Sequence, residues 1–211
     1  MSLKLNSVSF AYRRDEPILA DFSLAVEPGE SVAVMGPSGS GKSTILGVAG
    51  LLLRPDHGSV RIGNEEVPVR GSRRRRIRSL DIAWIFQSLT VAGGRTVLDN
   101  AALGLLAHGE TRCSAQERAM RALAAVEIEE LSLAPVDELS GGQLQRVCIA
   151  RALAVEPRVI LADEPTGQLD RKTSDRVMDA LLRAIDKSEA ALLMATHDHR
   201  VAAGCSRIVS L

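Results

Sequence analysis

Nine residues, Gly36-Pro37-Ser38-Gly39-Ser40-Gly41-Lys42-Ser43-Thr44, constrain this chain more than any other stretch. An apolar run, Val32 to Met35, precedes them, and a helix-like stretch, Ile45 to Leu53, follows. The order is strand, glycine loop, helix, with the spacing G-x-x-x-x-G-K-[ST]. Glycine lets the backbone turn so that successive N–H groups point inward at an anion, and the helix N-terminus adds its partial positive charge. Lys42 can reach outer phosphates as a point charge. The Ser43 hydroxyl suits Mg²⁺, which prefers oxygen ligands. The stretch therefore reads as a cradle for a nucleoside triphosphate.

With 211 residues the chain has room for one domain, or one domain with a subdomain, around a sizeable core. Aromatic residues make up only 2%, so that core must be aliphatic and each aromatic invites a separate question. The formal net charge is zero, which removes any global case for nucleic acid as a partner. Cys113, Cys148 and Cys205 lack metal-ligand spacing and read as buried thiols in a reducing compartment. No apolar run approaches the roughly 18 residues of a membrane span. The N-terminus is polar and alternating rather than signal-like. Any membrane role is expected to come through a partner.

Leu3 to Phe10 alternates as a half-buried strand, Arg13 to Pro17 reads as a hairpin loop, and Phe22 to Val26 as the return strand. Ser31 to Met35 is the strand before the glycine loop. Ser59 to Ile62 and Glu66 to Val69 suggest a further hairpin around Gly63-Asn64. Arg70 to Arg78 holds six arginines in nine residues. It reads as a solvated helix face, with a phosphate or lipid-headgroup patch as the sharper alternative. Asp81 to Phe86 is a short strand in which Trp84 and Phe86 read as core. From Thr96 to about Val126 the pattern is helical, with a capping box at Ser114 to Glu117. Val159 to Ala162 is apolar without alternation, as a strand buried on both faces is. Val177, Met178, Leu181, Leu182 and Ile185 form a helical stripe, and Ala191 to Ala195 and Arg207 to Leu211 are two more strands. Strands alternating with helices in the second half predict a parallel α/β sheet.

Leu139-Ser140-Gly141-Gly142-Gln143 is the second decisive stretch. Ser140 can cap the following helix with Gln143 three residues on, and Gly141 and Gly142 leave its N-terminus bare enough for a phosphate to approach. Here the sequence resembles the ABC ATPase family, and the resemblance runs from Tyr12 to Leu211 with every motif in family order. It implies a P-loop NTPase core with a mostly parallel sheet, an N-terminal antiparallel β subdomain and an inserted α-helical subdomain. Within one domain over 1–211, residues 1–87 and 156–211 would form the core with its β part, and about 88–155 the helical part with the Ser140 motif.

The resemblance also implies roles. Asp163, ending the apolar strand, would hold Mg²⁺ with Ser43 and Gln87, while Glu164 would be the general base that activates water. Gln87 resembles the loop glutamine that meets the metal and the lytic water, and His197 the histidine that touches the γ-phosphate. Lys42 belongs with these as a catalytic residue. Tyr12 matches the aromatic that stacks on adenine. Gly36 through Thr44 would bind the nucleotide from one chain; Ser140, Gly141, Gly142 and Gln143 would bind it from a second copy, in a head-to-tail homodimer. Gly167-Gln168-Leu169-Asp170 resembles the loop that crosses that interface. His57, His108 and His199 carry no functional expectation.

The implied protein binds and hydrolyses ATP with Mg²⁺ at the cytoplasmic face of the membrane, held there by separate permease subunits reached through the surface between Gln87 and about Val126. The most similar subfamily works with four-helix permeases that export or extract lipoproteins, macrolides, peptides or haem. A non-transport relative that signals through a permease-like protein in cell division is the alternative. A soluble DNA-repair or ribosome-associated member would need a coiled-coil insertion or two cassettes, and neither is present. One departure stands in the coupling region: Ala92-Gly93-Gly94 replaces a proline-containing apolar segment.

Overall fold

Apolar runs that do not alternate become central strands here because both of their faces are covered. The structure, a computed structural model, describes residues 2–13 and 16–211. Five strands, β3 (Ser31–Met35), β6 (Ile82–Ile85), β7 (Val159–Asp163), β8 (Ala191–Ala195) and β9 (Arg207–Ser210), form a sheet in the order β6-β7-β8-β3-β9. All its pairings are parallel. The period of two then sorts side chains between two cores. Ala33, Met35, Ile160, Ala162, Leu192 and Met194 pack with the helices on one face. Val32, Val34, Val159, Leu161, Ala191 and Leu193 pack with the other.

The second face is closed by α1 (Lys42–Ala49) and by an antiparallel sheet, β2-β1-β4-β5. Its strands are β1 (Leu3–Arg13), β2 (Glu16–Val26), β4 (His57–Ile62) and the two-residue β5 (Glu65–Glu66). The return strand thus begins six residues before the Phe22 that alternation suggested. Register shifts along the β1–β2 pair break the period of two between Glu16 and Phe22, which hid it. Arg14 and Asp15, in the expected hairpin loop, lie outside the described residues. The second expected hairpin exists, but its return arm closes at Glu65–Glu66 instead of running over Glu66 to Val69.

On the first face lie α3 (Val97–Ala107), α4 (Arg112–Ala125), α5 (Gly141–Ala154) and α6 (Arg171–Ser188). Thr96 to Val126 is helical as expected, divided into two helices. The capping box expected at Ser114 is not formed: Thr111 caps α4, its hydroxyl accepting the Ser114 N–H. A serine three residues inside the first turn has already lost its own claim to be the cap. The core stripe of α4 is Ala115, Ala119, Ala122 and Leu123. Small residues there let three helices approach in place of the missing aromatics. A short helix, α7 (His199–Ala203), capped by Asp198, precedes β9.

Two expectations about single residues fail. Phe86 is 44% exposed, lying just past β6 and stacked on Trp84 at 5.2 Å. Of the three thiols, Cys148 is buried and Cys205 partly so, but Cys113 is exposed on the outer face of α4. Five of the six arginines of the run fall in a helix, α2 (Ser72–Leu80), whose one buried residue is Ile77.

Candidate active site

Parallel strands bring their C-terminal ends to one edge, and there this chain keeps its polar residues. In the order β6-β7-β8-β3, the strands deliver Gln87, Asp163 with Glu164, Thr196 with His197, and the glycine loop. Residues more than a hundred positions apart so line one cleft of about 580 Å³. Its walls are Tyr12, Ile18, Ser38, Gly39, Gly41, Lys42, Ser43, Thr44, Gln87, Asp163, Glu164 and His197. A larger hollow of about 820 Å³ lies between α4, α5 and α6, and none of these residues borders it.

Backbone conformation explains the loop's composition. Gly41 caps α1 at φ 97, in the left-handed region where a side chain would be strained. A Cβ at Gly36 would stand 2.6 Å from Ser40 Oγ, inside the turn. No acidic residue occupies the first turn of α1, so its N-terminal field faces the cleft uncompensated. The Lys42 ammonium donates to the carbonyls of Gly36 and Pro37 at 2.8 and 2.9 Å, which ties its charge across the loop mouth.

Asp163 stands beside Ser43 and Lys42. Burial raises its pKa most, and the Glu164 charge adds to this, against a hydrogen bond from Ser43 and the charge of Lys42. Next to it Glu164 adopts φ 46, unusual for a non-glycine residue, and its N–H donates to the Ala195 carbonyl. That strained backbone aims the carboxylate into the cleft. Oε1 lies 2.7 Å from His197 Nδ1, and Oε2 accepts from Thr196 Oγ1 at 3.3 Å. The Glu164 side chain is only 17% exposed while that of His197 is 72% exposed. Gln87 sits close to the loop after Glu164: a Cβ on Gly167 would lie 3.0 Å from its Nε2.

Tyr12 is 65% exposed at the cleft rim, held edge-on by Phe10 at 4.9 Å with its hydroxyl 3.4 Å from Thr44 Oγ1. Exposed and braced, it offers a free ring face. Ile18 beside it carries no signal in the sequence, because the irregular start of β2 breaks the alternation that would mark it. Nor does Thr196, since a threonine before a histidine has no pattern of its own.

Ser140, Gly141, Gly142, Gln143 and Asp170 do not border the cleft. Ser140 caps α5 in a full capping box, with Gln143 Oε1 accepting from the Ser140 N–H at 2.9 Å. Gly142 has a packing reason besides any phosphate: a Cβ there would meet Thr173 Cγ2 at 2.2 Å. Asp170 caps α6, accepting from the N–H groups of Lys172 and Thr173. Ser140 and Gly141 are exposed to solvent.

Among the described residues no group of three or more His, Cys, Asp or Glu could cage a metal. The Ser43 hydroxyl, the Asp163 carboxylate and the Gln87 amide oxygen form a sparse, all-oxygen donor set. That fits Mg²⁺, which keeps waters and takes the rest of its ligands from substrate phosphates.

Residues 19–167 match the family model described as ABC transporter. The chain belongs to this family and is one of its ATPases. It is 39% identical to the lipoprotein-releasing system ATP-binding protein LolD of Paramagnetospirillum magneticum over 213 residues, 99% of this chain and 94% of the relative. With the LolD of Nitrobacter hamburgensis it shares 44% over 195 residues, 92% and 84% of the two chains. Its fold matches the dimeric structure of the bacterial ABC transporter cassette MJ0796 with a TM-score of 0.84 at 36% identity, covering 99% and 94%. A post-hydrolysis state of that cassette bound to ADP and Pi gives the same values.

Proposed function

We propose that this ATPase works as a head-to-tail pair with a second copy of itself and drives a separate membrane permease that extracts lipoproteins or similarly hydrophobic molecules from the bilayer. One observation carries the half-site reading. The cleft holds the glycine loop, Gln87, Asp163, Glu164 and His197, yet a second helix N-terminus, exposed at Ser140 and Gly141, lies outside it on the same chain. Such an N-terminus can serve a phosphate held by another molecule. The dimeric form of MJ0796 and the names of the LolD relatives support the pairing and the substrate class.

In this reading the loop N–H groups and Lys42 bind the triphosphate and Tyr12 stacks on the base. Glu164 removes a proton from the attacking water, oriented by its bonds to Thr196 and His197. With Glu164 ionised, His197 donates to it through Nδ1, and in the imidazolium form its Nε2–H is left to donate to a γ-phosphate oxygen. Mg²⁺, held by Ser43, Asp163 and Gln87, would neutralise charge building on the phosphates. Catalysis is then mostly positioning and electrostatics.

Light scattering on Glu164→Gln with ATP tests the pairing. The mass should double, and adding Ser140→Arg should abolish the doubling while nucleotide still binds. A dimer that forms equally well with Ser140→Arg refutes the shared site. Membranes from the source cell should yield the chain with an integral membrane partner; recovery as a free protein refutes the permease.

A further inference from the structure

The arginines of α2 are unexplained by the ATPase site. None of them borders the cleft, and the chain carries no net charge that would make such a run expected. Arg73 pairs with Glu65, and Arg74 donates to the Leu53 carbonyl at 3.0 Å. Arg75, Arg76 and Arg78 are exposed and make no ion pair or side-chain hydrogen bond among the described residues. The acids nearby do not neutralise them: Asp81 is bound to Arg158 at 3.0 Å, and Glu66 makes no ion pair among the described residues. Arg78 and Arg54 crowd Arg74, whose pKa is lowered by burial first and then by these two charges.

Helix stability does not account for the run either. Arg73, Arg74 and Arg75 sit in the first turn, where the positive end of the helix dipole disfavours cations. That turn has no acid and Gly71 supplies no side-chain cap. Residues that oppose their own helix point to something outside it. Two exposed apolar side chains flank the run, Val69 (53%) and Leu80 (42%). Arginines flanked by such groups suit a lipid interface, where cations meet phosphates and apolar side chains enter the layer beneath. A nucleic-acid duplex would reward the charges alone.

We propose that α2 docks directly on anionic phospholipid headgroups, so that this chain touches the membrane itself and not solely through its permease. The proposal rests on the placement beside a membrane argued above. It also puts a lipid contact one short strand, β6, from Gln87 in the nucleotide cleft.

Flotation of the full chain with vesicles tests it. One set is phosphatidylcholine, the other phosphatidylcholine and phosphatidylglycerol in equal parts, both at low and high salt. The chain should float with the anionic set alone and be released by salt. Each arginine is worth about fivefold in partition, so Arg75→Gln with Arg76→Gln and Arg78→Gln should lower it on the order of a hundredfold. ATP turnover and melting temperature should stay unchanged, which separates lost docking from misfolding and from any failure of the ATPase reading. If the triple variant melts early, Arg75→Gln alone should still show about a fivefold loss. Equal flotation of variant and wild type overturns the proposal. So does equal binding to neutral vesicles, or arginine-dependent binding of a DNA duplex without vesicle binding.

Discussion

Glu164→Gln tests the centre of the chemistry because it changes one property and few contacts. The side chain is mostly buried and its two oxygens are engaged by His197 at 2.7 Å and Thr196 at 3.3 Å. Glutamine has the same shape, and its amide oxygen can still accept one of these bonds. Folding should suffer by no more than about 1 kcal/mol, the net value of one neutral hydrogen bond. Proton abstraction from water, by contrast, is lost outright. A positioned general base contributes about 10²- to 10⁴-fold, which at about 1.36 kcal/mol per decade raises the barrier by roughly 3–5 kcal/mol. Phosphate release under saturating ATP should fall by that factor while ATP affinity, read by titration of a fluorescent analogue, stays within a few fold. His197→Ala in the same background should add little, since the two groups act as one unit. Turnover within threefold of wild type would refute the assignment of Glu164 and the reading of its strained backbone as a catalytic device.

Three further outcomes follow from the geometry. Gly142→Ala forces a methyl to within 2.2 Å of Thr173 Cγ2 and should destabilise the chain by about 1–3 kcal/mol in urea unfolding; Thr173→Ser should recover most of that loss, and no recovery would place the cost elsewhere. Cys113 should react with a thiol reagent at pH 8 far faster than Cys148 or Cys205, whose pKa values burial raises, that of Cys205 to about 11; two or more thiols titrating together would contradict the packing. Asp163 has its pKa raised chiefly by burial, so its folded form holds a proton more tightly than the unfolded chain, and its charge costs stability once the pH rises through that value. Asp163→Asn should therefore raise the melting temperature at neutral pH, an advantage that shrinks as acid protonates the wild-type carboxyl, while abolishing turnover. A variant that melts lower at neutral pH would reverse the sign of the argument.

Local rules made much of this protein legible. Gly36 to Thr44 sets backbone and charge within nine residues, and Val159 to Ala162 declares a two-sided burial through its own unbroken apolar run. Ser140 is a cap whose partner, Gln143, lies three residues away. Short range is what these features share, and a sequence states short-range chemistry directly.

Where the reading failed, the deciding partner was distant or the local signal was shared. Thr111 outcompeted Ser114 for one helix end, and the bulges of the β1–β2 pair erased the alternation that would have revealed β2 and Ile18. Phe86 left the core because β6 stops one residue earlier. Only the order β6-β7-β8-β3 could place Gln87, Glu164, His197 and Lys42 around one cleft, because strand neighbours are chosen by packing across the whole sheet. The Glu164–His197 bond and the fit of Gly142 against Thr173 arise the same way, from side chains that meet solely after the chain has folded. The sequence by itself determined which residues of this ATPase have the chemistry and local backbone to meet a phosphate; tertiary packing decided which of them line one cleft and which face outward.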